Sequence, residues 1–172
     1  MIILGIDPGS IKSGYALVQV EGKKISYLNS GIMKFDQKLS LIDRLGQIHL
    51  GAQKIIEAFK PDEIALESLI FVKSVPSLAK LSQARGAMLG VFAQNYIHRM
   101  YEYSPTQIKS AVTGQGQASK EMIDKTLKMI FKGQIEKEFA THDESDALAI
   151  ALTHGLLRNH MKQKENLRTE LR

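Results

Sequence analysis

Hydrophobic positions in the first third of the chain predict a β meander. Residues 2–6 form an unbroken apolar run, which is typical of a strand buried on both faces. Pro8-Gly9-Ser10 predicts a turn, and residues 14–20 and 24–33 have the composition of two further strands. Glu21-Gly22-Lys23 joins those two strands and predicts a hairpin.

The rest of the chain alternates between helical and strand patterns. Apolar residues recur every three or four positions over residues 39–59, which predicts a helix with Ser40 as a possible cap. Short strands are predicted at residues 63–67 and 100–103, and further helices at residues 77–96, 106–112, 120–131 and 142–159. This order predicts an α/β fold with a mixed central sheet and helices on both faces.

Length and charge limit the possible classes of protein. The 172 residues suit one domain, which we place at residues 1–157, and the excess of 23 Lys and Arg over 18 Asp and Glu favours a polyanionic partner. We expect a cytoplasmic protein, because the chain has no cysteine, no membrane-length apolar run and no export signal.

Residues 158–172 form a basic tail that we expect to be flexible. The tail holds few large apolar residues, and its basic side chains outnumber Glu165 and Glu170. A solvated terminus and a DNA-binding segment both fit this composition.

Four acidic residues are the candidates for chemistry. Asp7 and Glu67 each end an apolar strand pattern, and adjacent parallel strands bring such ends together. Asp143 and Asp146 are three residues apart at the start of a predicted helix, so they share a face at roughly 5–6 Å between Cβ atoms. A turn residue, a strand end and helix-dipole acids are the ordinary alternatives for these positions. Together, however, four acids repel one another unless cations bind between them.

The motifs around these acids resemble the RuvC family of Holliday-junction resolvases. The resemblance extends over nearly the whole chain, to about Leu157. Its motifs occur in the family's order: Gly5-Ile6-Asp7-Pro8-Gly9-Ser10 followed by Gly14-Tyr15, Ala65-Leu66-Glu67, Leu81-Ser82-Gln83-Ala84-Arg85-Gly86, Gly114-Gln115-Gly116-Gln117-Ala118-Ser119-Lys120 and Asp143-Glu144-Ser145-Asp146-Ala147-Leu148-Ala149-Ile150-Ala151.

The resemblance implies a ribonuclease-H-like fold and a homodimeric crossover junction endodeoxyribonuclease that cuts four-way DNA junctions during recombination and repair, together with the RuvAB branch-migration complex. It implies that Asp7, Glu67, Asp143 and Asp146 are both catalytic and metal-binding. Two Mg²⁺ or Mn²⁺ ions per active site are expected, with Asp7 bridging them.

Basic and apolar residues near these motifs are candidates for DNA binding. Lys120, at a helix start after a glycine-rich turn, suits a phosphate, and Lys109 matches another basic position of the family. After Glu67, family members carry an aromatic residue three positions on. Here that position is Ile70 and the aromatic residue is Phe71, so either side chain could contact a base, while Lys73 matches a basic position of this loop.

Three further features each allow two interpretations. Ser82, Gly86 and Gly90 form a stripe of small residues, which indicates close packing either on the protein's own sheet or at a dimer interface. His142 is either a metal ligand or proton carrier, or a capping or surface residue, and we leave it out of the site. Arg85 lies in a family motif but has no assigned role.

Three other classes of protein share parts of this pattern. Actin-like ATPases also begin with a strand followed by Asp, but they need two such domains, and this chain has one opening motif. A related nuclease of ribosomal RNA precursors is disfavoured by the segment 114–120 and by the Asp143/Asp146 pair. An inactive DNA-binding relative is disfavoured because all four acids are present.

Overall fold

The computed structural model of the protein describes residues 1–69, 74–135 and 138–170, with side chains described as far as Arg158. Ten elements follow one another along these residues: β1 (Ile2–Asp7), β2 (Lys12–Glu21), β3 (Lys24–Lys34), α1 (Leu41–Phe59), β4 (Glu63–Glu67), α2 (Val75–Tyr96), β5 (Met100–Tyr103), α3 (Pro105–Thr113), α4 (Lys120–Ile130) and α5 (His142–Glu170).

The five strands form one mixed sheet of order β3-β2-β1-β4-β5. The first three strands pair antiparallel as the predicted meander. Strands β1, β4 and β5 run parallel, because α1 and α2 provide the crossover connections that parallel pairing needs. The mixed α/β sheet predicted from the sequence is therefore confirmed.

Two hydrophobic cores lie on opposite faces of this sheet. Strand β1 alternates between them: Ile3 packs with α3, α4 and α5, whereas Leu4 and Ile6 pack with α1 and α2. All three side chains are fully buried, as the apolar run of the sequence predicts. The two faces of the sheet are therefore covered by different helices, and we call the face that packs against α3, α4 and α5 the α5 face.

Helix α5 packs on β1 and β2 at unusually short range. A Cβ atom added at Gly5 would lie 2.3 Å from the carbonyl oxygen of Ala147, and one added at Gly14 would lie 1.8 Å from that of Asp143. Both distances are far below van der Waals contact, so only glycine allows the helix backbone to approach here. The two glycines thus bring the N-terminal end of α5 to the end of β1.

Serine side chains cap the starts of α1 and α4. The Ser40 side chain accepts a hydrogen bond from the backbone N–H of Asp43 at 3.2 Å, and Ser119 accepts one from Met122 at 3.2 Å. Helix α3 begins one residue earlier than predicted, at Pro105, because proline is well suited to the first turn. Helix α5 continues to Glu170, and none of the described helices has the length and hydropathy needed to cross a membrane.

Candidate active site

Asp7 and Glu67 lie side by side at one end of the sheet. They are the last residues of β1 and β4, which are parallel neighbours with Ile6 opposite Leu66. Side chains alternate along a strand, so Asp7 shares the α5 face with Ile3, and Glu67 shares it with Ala65. The expectation that the two strand ends face one point is therefore met.

Asp143 and Asp146 reach the same place from α5. They occupy the first turns of that helix, whose backbone rests against Gly14 at the start of β2. Asp143 and Asp146 are among the charges that act on Asp7, and Asp146 also acts on Glu67. The structure thus brings together all four acids selected from the sequence.

Asp7 and Glu67 lie in surroundings that disfavour their charged forms. Burial, followed by repulsion from Asp146, Glu67 and Asp143, raises the pKa of Asp7 to about 8 from an ordinary value of 3.8. Burial and the charge of Asp146 likewise raise the pKa of Glu67, although Lys120 and Lys109 oppose this effect. Asp7 therefore holds its proton at neutral pH unless more positive charge is supplied.

Two lysines supply part of that charge. The ammonium group of Lys120 donates a hydrogen bond to Oδ2 of Asp146 at 2.8 Å. Lys12 forms an ion pair with Asp143, and the Thr141 hydroxyl donates to the same carboxylate at 2.9 Å. Although burial raises the pKa of Asp143, these hydrogen bonds hold it below the usual value.

Lys12 is the residue that the sequence interpretation missed. It begins β2, two residues before the position predicted, and the turn after Asp7 returns it to the end of β1. The sequence does contain a signal, because a lysine at the start of the second strand of a tight antiparallel pair must lie close to the end of the first strand.

The two predicted lysines border a pocket beside the acids. This pocket of about 230 Å³ is lined by Glu67, Lys109, Lys120 and Asp146, with Ile108, Ile123, Ile150 and Pro105 forming its apolar part. Charged groups of both signs therefore meet on a partly apolar wall. Such a pocket can hold a phosphate group against Lys109 and Lys120 while the carboxylates face it.

The donor chemistry of the site fits a divalent metal ion. Carboxylate oxygens are the ligands that Mg²⁺ prefers, and the raised pKa of Asp7 reflects burial together with neighbouring negative charge that a cation would neutralise. Among the described residues, however, no three His, Asp or Glu side chains are arranged as a formed metal site. Asp143 and Asp146 are instead paired with the ammonium groups of Lys12 and Lys120.

The remaining candidates lie elsewhere or are not described. The Nδ1 atom of His142 is 3.3 Å from Oδ2 of Asp124 on α4, so this side chain belongs to a helix–helix contact. Arg85 is buried and forms an ion pair with Glu102 of β5. Ile70, Phe71 and Lys73 lie outside the described residues.

The stripe of small residues on α2 faces outward. Ser82, Gly86 and Gly90 are all exposed, and a Cβ atom added at either glycine would meet no atom within 4 Å. Packing of the two glycines on the protein's own sheet, one of the two interpretations of the sequence, is therefore wrong. The stripe is an exposed surface of small residues instead.

A mixed five-stranded sheet with acids at the ends of β1 and β4 and at the start of α5 defines a ribonuclease-H-like protein. The family model for crossover junction endodeoxyribonuclease RuvC matches residues 3–154, and the chain belongs to that family.

Relatives and solved structures agree with this assignment. The chain is 40% identical over 162 residues to crossover junction endodeoxyribonuclease RuvC of Petrotoga mobilis, covering 94% of this chain and 98% of the relative. It is 36% identical over 171 residues to that of Natranaerobius thermophilus, covering 99% and 100%. The structure of T. thermophilus RuvC in complex with a Holliday junction substrate matches with a TM-score of 0.81 and 29% identity, covering 92% of this chain and 94% of that one.

Proposed function

We propose that this protein is a metal-dependent endonuclease that resolves four-way DNA junctions by cutting two strands symmetrically during recombination and repair. The observation that carries the proposal is the meeting of Asp7, Glu67, Asp143 and Asp146 beside Lys109 and Lys120, in a chain of the RuvC family. A net charge of +5 agrees with a DNA substrate.

The carboxylates would hold the metal ions, two Mg²⁺ or Mn²⁺ per site. Burial and the neighbouring carboxylates raise the pKa of Asp7, so a cation would stabilise the charge of Asp7 in particular, and Glu67, Asp143 and Asp146 would complete the ligand set. When bound, such ions lower the pKa of a water molecule and stabilise the leaving 3′-oxygen.

The lysines have two tasks in this proposal. In the protein alone, Lys12 and Lys120 neutralise Asp143 and Asp146. When DNA is bound, Lys120 and Lys109 at the pocket wall are in position to donate hydrogen bonds to phosphate oxygens near the cut. Lys120 therefore exchanges a carboxylate partner for a phosphate, which couples substrate binding to the release of Asp146.

The protein's partners follow from symmetry and family. Symmetric cutting needs two active sites related by a two-fold axis, so we propose a homodimer whose interface includes the exposed Ser82, Gly86 and Gly90 stripe. We further propose that the dimer acts with the RuvAB branch-migration complex in the cytoplasm.

Two segments supply additional DNA contacts in this proposal. Phe71 or Ile70 stacks on or wedges against bases at the crossover, and Lys73 contacts the backbone. The basic tail at residues 158–172, beyond the nuclease domain of residues 1–157, stays a candidate for a weaker contact with a junction arm.

Cleavage of a labelled four-way junction beside a linear duplex of the same sequence tests the proposal. We expect nicks with 5′-phosphate and 3′-hydroxyl ends in the junction when Mg²⁺ is present, none in EDTA and none in the duplex. Tight junction binding without cleavage in either Mg²⁺ or Mn²⁺ would instead identify an inactive DNA-binding relative.

A further inference from the structure

A second polar cluster lies in the middle of α5, eight residues beyond Asp146. We call it the His154 cluster; it consists of Glu63 of β4, Tyr103 of β5, and His154 and Arg158 of α5. His154 is completely buried, and Glu63 and Tyr103 are nearly so. The proposed nuclease chemistry uses none of these four side chains.

Each polar atom of the His154 ring has one partner. Nε2 lies 2.7 Å from Oε2 of Glu63, and Nδ1 lies 2.6 Å from the Tyr103 hydroxyl. Arg158 binds both oxygens of Glu63, at 2.5 and 2.6 Å, so this carboxylate is an acceptor only. Nε2 therefore donates to Glu63, and Nδ1 accepts from Tyr103.

The ionisation of the cluster supports this arrangement. Although burial raises the pKa of Glu63, hydrogen bonds from Arg158 and His154 hold it below its usual value. Burial lowers the pKa of His154 despite the nearby carboxylate, and burial raises the pKa of Tyr103 to about 12. At neutral pH the cluster therefore contains a carboxylate, a neutral imidazole and a phenol that can donate.

The cluster and the active site are two ends of one helix–strand contact. Eight residues separate Asp146 from His154 on α5, which corresponds to about 12 Å of helix. Four residues separate Glu67 from Glu63 on β4, which corresponds to about 13 Å of strand. The two lengths are nearly equal, so Glu63 contacts His154 at one end of this contact while Glu67 faces Asp146 at the other.

Between these two ends, Ala147 and Ala151 rest on Gly5, and such small groups set the distance between helix and sheet. Leu148, Ile150 and Leu152 pack in the core of the α5 face, and apolar contacts of this kind have no preferred direction. The buried Glu144 accepts a hydrogen bond from Ser30 at 2.6 Å, which ties the start of α5 to β3. Directional hydrogen bonds from His154 and Arg158 to a single carboxylate do resist sliding and rotation. The cluster also joins β4, β5 and α5, and each of these elements leads to the active site. Strand β4 carries Glu67, β5 precedes the helix of Lys109, and α5 carries Asp146.

We propose that the His154 cluster is a positioning device that fixes the axial register of α5 on β4 and β5, and so places Asp143 and Asp146 against Asp7 and Glu67. This inference rests on the proposed nuclease function. His154 is a positioning residue and has no contact with substrate.

Steady-state junction cleavage by three variants tests the proposal. His154→Leu fills the space without polar atoms, His154→Gln keeps one donor and one acceptor, and Thr153→Val is the matched control. Thr153 is equally buried on α5, but its hydroxyl donates to the carbonyl of Ala149 within its own helix, and it has no other hydrogen bond to the described residues. Rates are taken per binding-competent protein, which removes the effect of any unfolded fraction.

We expect His154→Leu to lower kcat about 10- to 100-fold, since displacements near 1 Å have effects of this size, with junction affinity unchanged. His154→Gln should recover most of that loss, and Thr153→Val should match the wild type. A reduced kcat in both His154→Leu and Thr153→Val would overturn the proposal, because any disturbance of α5 would then suffice.

Two further outcomes separate this inference from the function on which it rests. A wild-type protein that cuts no junction would overturn the nuclease function, and the positioning role with it. If the wild type cuts junctions and the folded His154→Leu variant has the same kcat, the positioning role alone would be overturned. Should His154→Leu fail to fold, Tyr103→Phe removes only the hydroxyl facing Nδ1, and a wild-type kcat there would overturn the proposal equally.

Discussion

Replacing Asp7 by asparagine should stabilise the metal-free protein while abolishing cleavage. In the folded protein, burial and three neighbouring carboxylates raise the pKa of Asp7 to about 8, against 3.8 in a model peptide. At pH 7 the unfolded chain gains about 4 kcal/mol by ionising this group, and the folded protein gains almost none. Asparagine has no proton to lose, so this difference disappears.

The gain in stability from Asp7→Asn should increase as the pH rises. The folded-state pKa of Asp7 is raised, so the contribution of Asp7 to the stability of the wild type is most favourable below about pH 4 and is lost as the pH rises towards 8. An asparagine amide is itself costly to bury, so the expected gain at pH 7 is roughly 1–3 kcal/mol rather than the full amount. At pH 5 the gain should be smaller.

Urea unfolding in EDTA at pH 5, 7 and 8 measures this gain. Glu57→Gln, which removes an exposed acid of α1, is the matched control and should change stability little at any pH. Added Mg²⁺ should stabilise the wild type more than Asp7→Asn, because ligands that bind only the folded state shift unfolding by mass action. The reasoning is refuted if Asp7→Asn is no more stable than the wild type at pH 7 and 8.

Three further predictions concern DNA and the dimer. Lys120→Ala should slow cleavage and, where its phosphate contact persists in the ground state, reduce the salt slope of junction binding by about one. Lys125→Ala on the same helix is the control, and identical behaviour of the two variants would contradict the assignment of Lys120. Gly90→Leu should give a folded monomer by sedimentation that makes single nicks, because a side chain meets open space within the protomer; a folded dimer would remove the stripe from the interface. Phe71→Ala should reduce cleavage more than Ile70→Ala, through loss of stacking worth about 1–3 kcal/mol, whereas a sharp fall in melting temperature with normal cutting would make Phe71 a core residue.

The strands and the acid positions could be predicted because both depend on local pattern. Residues 2–6 have no polar position, so burial on both faces followed directly. Adjacent parallel strands were expected to bring their ends together, as β1 and β4 do with Ile6 opposite Leu66. The close packing of α5 on the sheet was harder to predict from the sequence. Gly5 and Gly14 could be read as turn or motif residues, and only the packed structure shows helix backbone against them.

Residues that act through distant partners were beyond the reach of sequence patterns. His154 lies within an apolar helical stretch and resembles any core position, and its partners Glu63 and Tyr103 are 91 and 51 residues away. The direction of the small-residue stripe on α2 was equally undetermined, because spacing shows that Gly86 and Gly90 share a face but not what that face meets. Lys12, by contrast, could have been found from hairpin geometry.

The central claim is that four carboxylates form one junction-cutting site, and cutting of a supercoiled plasmid that extrudes a cruciform tests it most directly. Two cuts made within one binding event give linear plasmid, whereas independent cuts give nicked circles. The account predicts linear product from the wild type with Mg²⁺, and none from Asp7→Asn, Glu67→Gln, Asp143→Asn or Asp146→Asn, although each variant still binds the junction. Linear product from any of these four variants at a rate near that of the wild type would contradict it.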